Sequence, residues 1–360
     1  MKILITRREQ LDVPDGINTS IFYLGKSFRE MGHKVAYLST YFINIDALAR
    51  FYDIEGFEFK SIFDRTTKFP SKLWKVFLGW FLLGRRIIKT WKPDYVIMNG
   101  AIPFLDLHCP HVFVSHDLEH RMVRSRYFQN LIKKISYKSG FAIVATTSEI
   151  KEGLVKELGI HAERVFVIPT CIDISTYRNR PRSERSKLIL HIGTAEYKNP
   201  ILSLEAFQLL EDSLVELAII GKPSDKLRNA ISTIPTRLKT RIHLLGNVSD
   251  SDFKELLAEA MILSVPSVYK FPVLSPTVLE GMASGTPVVT TPSISCDIAI
   301  DGISCLVREP NPTSFAQCFQ DLFSDENLWK KLSEGGLIMA AKFDRLEVAR
   351  QYLELYEKFN

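Results

Sequence analysis

PSVYKFPVLSPTVLEGMASGTPVV, residues Pro266 to Val289, is the stretch that decides the architecture. It follows one short apolar run, Ile262–Val265, and ends in another, Pro287–Thr290. Between them lie an apolar loop and the start of a helix over Ser275 to Leu279, with the carboxylate of Glu280 just beyond. Strand, helix and strand in that order, with both strands short and mostly apolar, make one unit of a parallel sheet buried on both faces. The same alternation extends upstream. Apolar runs recur at Leu188–Ile192, Glu216–Ile220 and Arg241–Leu244, with a helix through Leu204 and Leu210 after the first of them.

A separate series opens the chain. Lys2 to Thr6 reads as a strand, a loop passes through Pro14-Asp15-Gly16, and a helix carries Ile21, Leu24 and Phe28 at helical spacing before ending near Gly32. Val35–Ser39, Tyr95–Met98, His111–Val114 and Ala142–Thr146 follow as strands. Two such series predict an α/β protein of two doubly wound, Rossmann-like domains facing a cleft, with ligands beyond the carboxyl ends of the strands. The join falls at Ile168–Asp173, where apolar periodicity lapses at Pro169, giving domains of 1–170 and 171–344. A last helix over Leu346–Phe359 bears Val348, Tyr352, Leu355 and Phe359 on one face, and residues 345–360 are expected to pack back on the first domain.

Length and composition agree. A chain of 360 residues, 46% hydrophobic and 24% charged, suits two globular domains rather than one core. A formal charge of +5 favours anionic partners without choosing among them, and no cationic run interleaved with stacking aromatics suggests a nucleic-acid groove. The five cysteines are scattered and keep no metal-ligand spacing, so reduced, mostly buried thiols are expected. The amino terminus runs directly into a strand without a signal-peptide pattern, so a cytoplasmic setting is the expectation.

Three segments resemble family 4 of the retaining glycosyltransferases, which have the GT-B fold and are also called glycosyltransferase group 1. They are the first loop and helix ending Met31–Val35, the join Val167–Pro169 and, above all, Pro266–Val289. The resemblance implies a first domain on the acceptor side and a second that binds a nucleotide-diphosphate sugar, UDP- or GDP-linked, as substrate. It implies no cofactor and no metal ion.

It also implies roles for individual residues. Glu280 stands where relatives have a carboxylate that accepts hydrogen bonds from the donor ribose; a vicinal diol offers two donors and a carboxylate two acceptor oxygens. The turn before it, with Val273, Leu274, Ser275, Thr277 and Val278, would hold the diphosphate through backbone N–H groups. Lys198, in HIGTAEYKN (191–199), matches a diphosphate-gripping lysine, whereas Thr194 replaces the arginine relatives carry after the glycine. Gly16 matches the second glycine of a Gly-Gly pair that lets the backbone approach phosphates; Asp15 replaces the first. His116, delivered by Val112–Val114, matches a histidine that contacts the transferred sugar near the reacting carbon. Asp117 would orient its ring, and Asp117, Glu119 and His120 are acceptor-side candidates. Ser148 reads as the N-cap of the following helix.

One departure stands out. Relatives place a second glutamate eight positions before the ribose carboxylate, where this chain has Pro272. Either backbone groups of Val273–Ser275 recognise the sugar, or Glu280 anchors the donor alone, or activity is lost. The expected reaction is therefore hexosyl transfer to a glycan, lipid-linked or other hydroxyl, with a non-catalytic sugar-nucleotide binder of the same fold as the alternative. Finally, KLWKVFLGWFLLGRRIIKTWK, Lys72–Lys92, is apolar and tryptophan-rich with interspersed cations. It reads either as a membrane-surface segment, which would place the protein at the inner face of a membrane, or as a domain helix with its cations turned outward.

Overall fold

The computed structural model describes all residues except 8–10, 12–15, 41, 43–44, 47–51, 53, 55, 64–78, 101–106, 108, 117–135, 138–139, 271 and 360. The chain divides into two compact units, one of Met1–Ile172 with Arg345–Asn360 and one of Asp173–Asp344.

The first unit is built on seven parallel strands: β1 (Lys2–Arg7), β2 (Lys34–Ser39), β3 (Glu58–Ser61), β4 (Tyr95–Asn99), β5 (His111–Ser115), β6 (Ala142–Ala145) and β7 (Val165–Val167). Their order is β3-β2-β1-β4-β5-β6-β7, so the chain starts in the middle and winds outward in both directions. Successive β1 residues feed opposite faces. Ile3 and Ile5 pack with helix α1 (Gly16–Glu30), while Leu4 packs with Val96, Met98 and Trp80. Helix α2 (Arg85–Trp91) continues a π-helical turn, Trp80–Gly84, and α3 (Ser148–Leu158) follows β6. The carboxyl-terminal helix Arg345–Lys358 places Val348, Ala349, Tyr352 and Leu355 in the same core as Ile21, Leu24 and Phe28 of α1. Arg345 fixes its start: the guanidinium donates to Glu30 at 2.6 Å and Ser27 at 3.2 Å, and its backbone N–H donates to the Ile172 carbonyl.

The second unit has six parallel strands: β8 (Ser186–Ile192), β9 (Glu216–Ile220), β10 (Ile242–Gly246), β11 (Ala260–Val265), β12 (Val288–Thr290) and β13 (Leu306–Val307). Their order, β10-β9-β8-β11-β12-β13, repeats the doubly wound plan. Helices α4 (Pro200–Gln208), α5 (Asp225–Ser232), α6 (Asp250–Glu259), α7 (Pro276–Ala283), α8 (Pro312–Ser324) and α9 (Glu326–Ala341) complete it. Phe207, Phe315, Phe319 and Trp329 cover one sheet face over Ile189, Leu217, Ile219 and Ile262.

Two expectations need correction. Thr147, not Ser148, caps α3: its backbone is extended and its hydroxyl accepts the Ile150 N–H at 3.2 Å, which leaves Ser148 as the first helical residue. In the Lys72–Lys92 segment, residues 72–78 lie outside the described ones. Trp80 is fully buried and donates its indole N–H to Thr40 at 2.9 Å, so it belongs to the core and not to an outer apolar face. Leu82 and Leu83, by contrast, are exposed. No described helix is long and apolar enough to cross a membrane.

Candidate functional site

In both units the switch point of the strand order lies at the first strand, β1 or β8, and the chemistry-bearing residues gather at the carboxyl ends there.

In the second unit three neighbouring strands end in glycines of positive φ: Gly193 at +95°, Gly221 at +118° and Gly246 at +64°. At the first two, a side chain would meet a neighbour. A Cβ on Gly193 would lie 3.1 Å from Lys198 Cγ, and one on Gly221 would lie 3.3 Å from the Thr194 side chain. The lysine stem therefore runs over the Gly193 backbone and brings Nζ to 3.5 Å from the Thr277 hydroxyl in the first turn of α7. Thr194 is turned away to donate its hydroxyl to the Lys222 carbonyl at 2.5 Å.

Helix α7 begins with Ser275 in extended conformation and Pro276 as its first residue, where a missing N–H costs nothing. Ser275 is buried, makes no capping bond and leaves its hydroxyl oxygen without a partner among the described residues. Two of the expected donor contacts are corrected here. Val273 spends both backbone groups on Ser293 (N–H to its carbonyl, 3.1 Å) and Ser295 (carbonyl from its N–H, 2.9 Å). Val278 is buried in the core and its N–H is taken by the Ser275 carbonyl at 3.1 Å. The N–H groups left without an acceptor among the described residues are those of Leu274, Ser275 and Thr277. Pro272 is half-buried beside this pinned loop.

Glu280, one turn into α7, is half-buried. Desolvation pushes its carboxyl up to about 7 against the opposing pull of the Lys198 charge and a hydrogen bond from Tyr177. Lys198 is lowered by desolvation, with Tyr197 and Glu280 resisting. Burial therefore disfavours the charged form of both groups, and an incoming anion beside Lys198 would favour its ammonium form. Tyr177, lying under the Lys254 ammonium at 5.5 Å, was not visible as a site residue in the sequence because it reaches Glu280 from far along the chain.

In the first unit, His116 follows β5 and is half-buried. Its Nε2 lies 2.7 Å from the side-chain oxygen of Asn99, the last residue of β4. The Asn99 amide nitrogen donates to the Thr6 carbonyl at 3.2 Å, which fixes the amide so that its oxygen faces the ring. That oxygen only accepts, so Nε2 carries the proton. Asn99 thus orients the ring at Nε2; only its place at a strand end, before Gly100 at φ +98°, could have marked it in the sequence. Asp117, Glu119 and His120 lie outside the described residues. Gly16 is the exposed first residue of α1, and close by the buried Arg7 donates its guanidinium to Asn18. Among the described residues no three His, Cys, Asp or Glu side chains gather as a metal site would require.

Comparison with known proteins follows the same division. Residues 14–176 match the family described as Glycosyltransferase Family 4, and residues 186–325 match Glycosyl transferases group 1. Mannosylfructose-phosphate synthase of Agrobacterium fabrum is 26% identical over 250 residues, which are 62% of this chain and 54% of that enzyme. The chain thus spans about half the length of that curated relative. Among solved structures, a glycosyltransferase from Rickettsia africae superposes with a TM-score of 0.80 at 19% identity, covering 99% of this chain and 98% of that one. The Anabaena protein HepE, solved in complex with UDP, superposes with a TM-score of 0.78 at 16% identity, covering 99% and 100%. These likenesses establish the GT-B fold, and with both family matches in place the chain belongs to the group 1 glycosyltransferases of family 4.

Proposed function

We propose that this chain is a retaining, metal-independent hexosyltransferase that takes its sugar from a UDP- or GDP-linked donor. The observation that carries the reading is the grouping, at one carboxyl edge, of Lys198, the Thr277 hydroxyl, the free N–H groups of Leu274, Ser275 and Thr277, and the carboxyl of Glu280. Cation and N–H groups suit a diphosphate; a carboxylate one helical turn further on suits a ribose diol. This grouping supplies positive charge where the leaving nucleotide gains negative charge, without a metal ion.

The reaction that fits breaks the bond between the anomeric carbon and the diphosphate oxygen, whose electron pair leaves with the nucleotide. The acceptor oxygen bonds to that carbon on the same face, and the acceptor proton passes to a phosphate oxygen of the leaving group. Lys198 and the α7 N–H groups stabilise the departing charge, and His116, held by Asn99, contacts the sugar near the reacting carbon. The acceptor is a hydroxyl of a glycan or lipid-linked intermediate, and the exposed Leu82–Leu83 pair beside Arg86 supports work at the inner face of a membrane from a cytoplasmic position.

Pro272 and Thr194 favour a second reading, a sugar-nucleotide binder without turnover, since both replace polar donor contacts. The two readings separate in one experiment. Thermal unfolding with UDP, GDP and their sugar conjugates identifies the donor, and hydrolysis of that donor is then measured with and without acceptor. Glu280→Ala is expected to weaken nucleotide binding by about tenfold or more. His116→Ala is expected to bind as before and lose turnover. Unchanged affinity in the first variant, or unchanged turnover in the second, removes the role assigned to that residue; binding without any donor cleavage in the wild type selects the second reading.

A further inference from the structure

The chain has no arginine after Gly193, and the structure suggests what takes over that duty. His191, the penultimate residue of β8, is buried. One ring nitrogen, Nε2, lies 2.8 Å from the Gly193 carbonyl and the other, Nδ1, lies 2.9 Å from the Ser203 hydroxyl of α4. Ser203 is in turn 2.7 Å from the hydroxyl of Ser264 on β11. A carbonyl only accepts, so Nε2 carries the proton, Nδ1 accepts from Ser203, and Ser203 accepts from Ser264. The three side chains form one directed line of hydrogen bonds through the core, ending on a backbone carbonyl.

That ending sets the orientation of a peptide. In a planar trans peptide the C=O and the following N–H point in opposite directions. With the Gly193 carbonyl drawn inward to His191, the Thr194 N–H is turned the other way, and it has no acceptor among the described residues. Gly193, at φ +95°, permits the turn, and the Lys198 stem lies over the same residue. We infer that His191 is a positioning residue that aims the Thr194 N–H, alongside the Lys198 ammonium, at the diphosphate of the donor. It thereby substitutes a fixed backbone dipole for the side-chain cation this chain lacks. This inference rests on the proposed nucleotide site. Burial, which pulls the His191 ring down to about 4, keeps it neutral and the line of bonds in one sense at any working pH.

Three variants test it by titration with UDP, GDP, the matching monophosphates and inorganic pyrophosphate, with folding checked by thermal unfolding. His191→Gln places an amide N–H near the position of Nε2 and keeps the donor to Gly193; His191→Asn reaches only to the position of Nδ1 and loses it. His191→Leu loses both bonds. The expected result is that the Gln variant binds diphosphates within about threefold of wild type, while Asn and Leu lose about tenfold. Monophosphate affinity should change less in both, because the loss belongs to the second phosphate. Wild-type diphosphate affinity in a folded Asn variant overturns the inference. So does an equal loss in the Gln and Asn variants that extends to monophosphates, which would mark a merely structural histidine. A wild-type protein that binds pyrophosphate but neither nucleotide overturns the nucleotide reading, while the His191 comparison proceeds on pyrophosphate. A wild type that binds none of these probes overturns both.

Discussion

Glu280 holds a proton in the folded chain up to about 7, whereas the carboxyl would ordinarily ionise near 4.5. Desolvation is the leading cause, ahead of the Lys198 charge and the Tyr177 hydrogen bond that oppose it. The folded state therefore carries a proton between these two values that the unfolded chain has released. Its contribution to stability is complete below the lower value and is lost as pH rises through the upper one. Glu280→Gln, neutral throughout, is expected to leave stability unchanged near pH 4 and raise it by on the order of 1 kcal/mol at pH 8. The proposed ribose contact would run the other way, since only the ionised carboxyl accepts from both hydroxyls. Affinity for a nucleotide sugar should strengthen from pH 6 to 8 in the wild type and stay weak and flat in the Gln variant. Denaturant unfolding and titration calorimetry across that range check both, and a flat wild-type affinity would remove the carboxylate from the ribose. His116 offers a parallel test. Asn99→Asp puts a negative charge against the Nε2–H and so favours the charged ring. Turnover is expected to fall about tenfold in this variant with nucleotide affinity unchanged; unchanged turnover would mean the ring's orientation plays no part. Glu280, Lys198 and His116 could be named as candidates from the sequence because each sits in a local run of recognisable residues. Asn99, Tyr177 and His191 were not recognised as partners, because what matters about each is a neighbour brought to it by sheet pairing or by the return of a distant segment.

Hydroxyl residues at two helix starts make opposite use of the same chemistry. Thr147 spends its hydroxyl on the Ile150 N–H of α3, at 3.2 Å. Ser275 stands in the same position before α7, yet its buried hydroxyl has no bond among the described residues. Thr147→Ala is therefore expected to cost about 1 kcal/mol of stability. Ser275→Ala should cost nothing measurable, or stabilise slightly by removing an unpaired buried oxygen, while weakening diphosphate affinity. Denaturant curves for the pair, with UDP and GDP titrations alongside, decide it; an equal loss of stability would mean Ser275 is an ordinary cap. The sequence shows that a helix begins at each place but not whether its cap is occupied, because that depends on the backbone angle at one residue. Strands follow the same pattern. Central ones such as Glu216–Ile220 announce themselves by unbroken apolar runs. The missed ones, β3, β7 and β13, are edge strands of two to four residues, and β3 alternates charge with apolar groups as an edge does.

Charge is distributed unevenly over the whole chain. Between Asp64 and Asp94 the sequence carries eight lysines and arginines and no carboxylate, against +5 for all 360 residues, so the rest of the molecule is net acidic. Where this segment is described, its two sides differ. Trp80 and Ile88 are buried, and the Trp91 indole is tied to Glu58 at 2.9 Å, which anchors the inner side. On the outer side Leu82 and Leu83 are 55% and 41% exposed, and Arg86, Lys89 and Lys92 are exposed without an ion pair among the described residues. Two adjacent leucines presented to water on a firmly seated turn, followed by cations without an ion pair among the described residues, suit the proposed anionic lipid surface: alkyl groups would enter the interface while ammonium and guanidinium groups would meet headgroup phosphates. Vesicles of phosphatidylglycerol and phosphatidylcholine are expected to sediment with the protein, and vesicles of phosphatidylcholine alone are not. Binding should fall at 0.5 M salt, where screening shortens the reach of the cations. Leu82→Gln with Leu83→Gln should weaken binding about tenfold at low salt, and Arg86→Glu with Lys89→Glu should weaken it further. A nucleic acid or acidic protein would be held by the cations without needing the leucines. Full vesicle binding in the double glutamine variant would therefore reduce this face to a general polyanion contact, and no binding in the wild type would detach the acceptor from the membrane altogether.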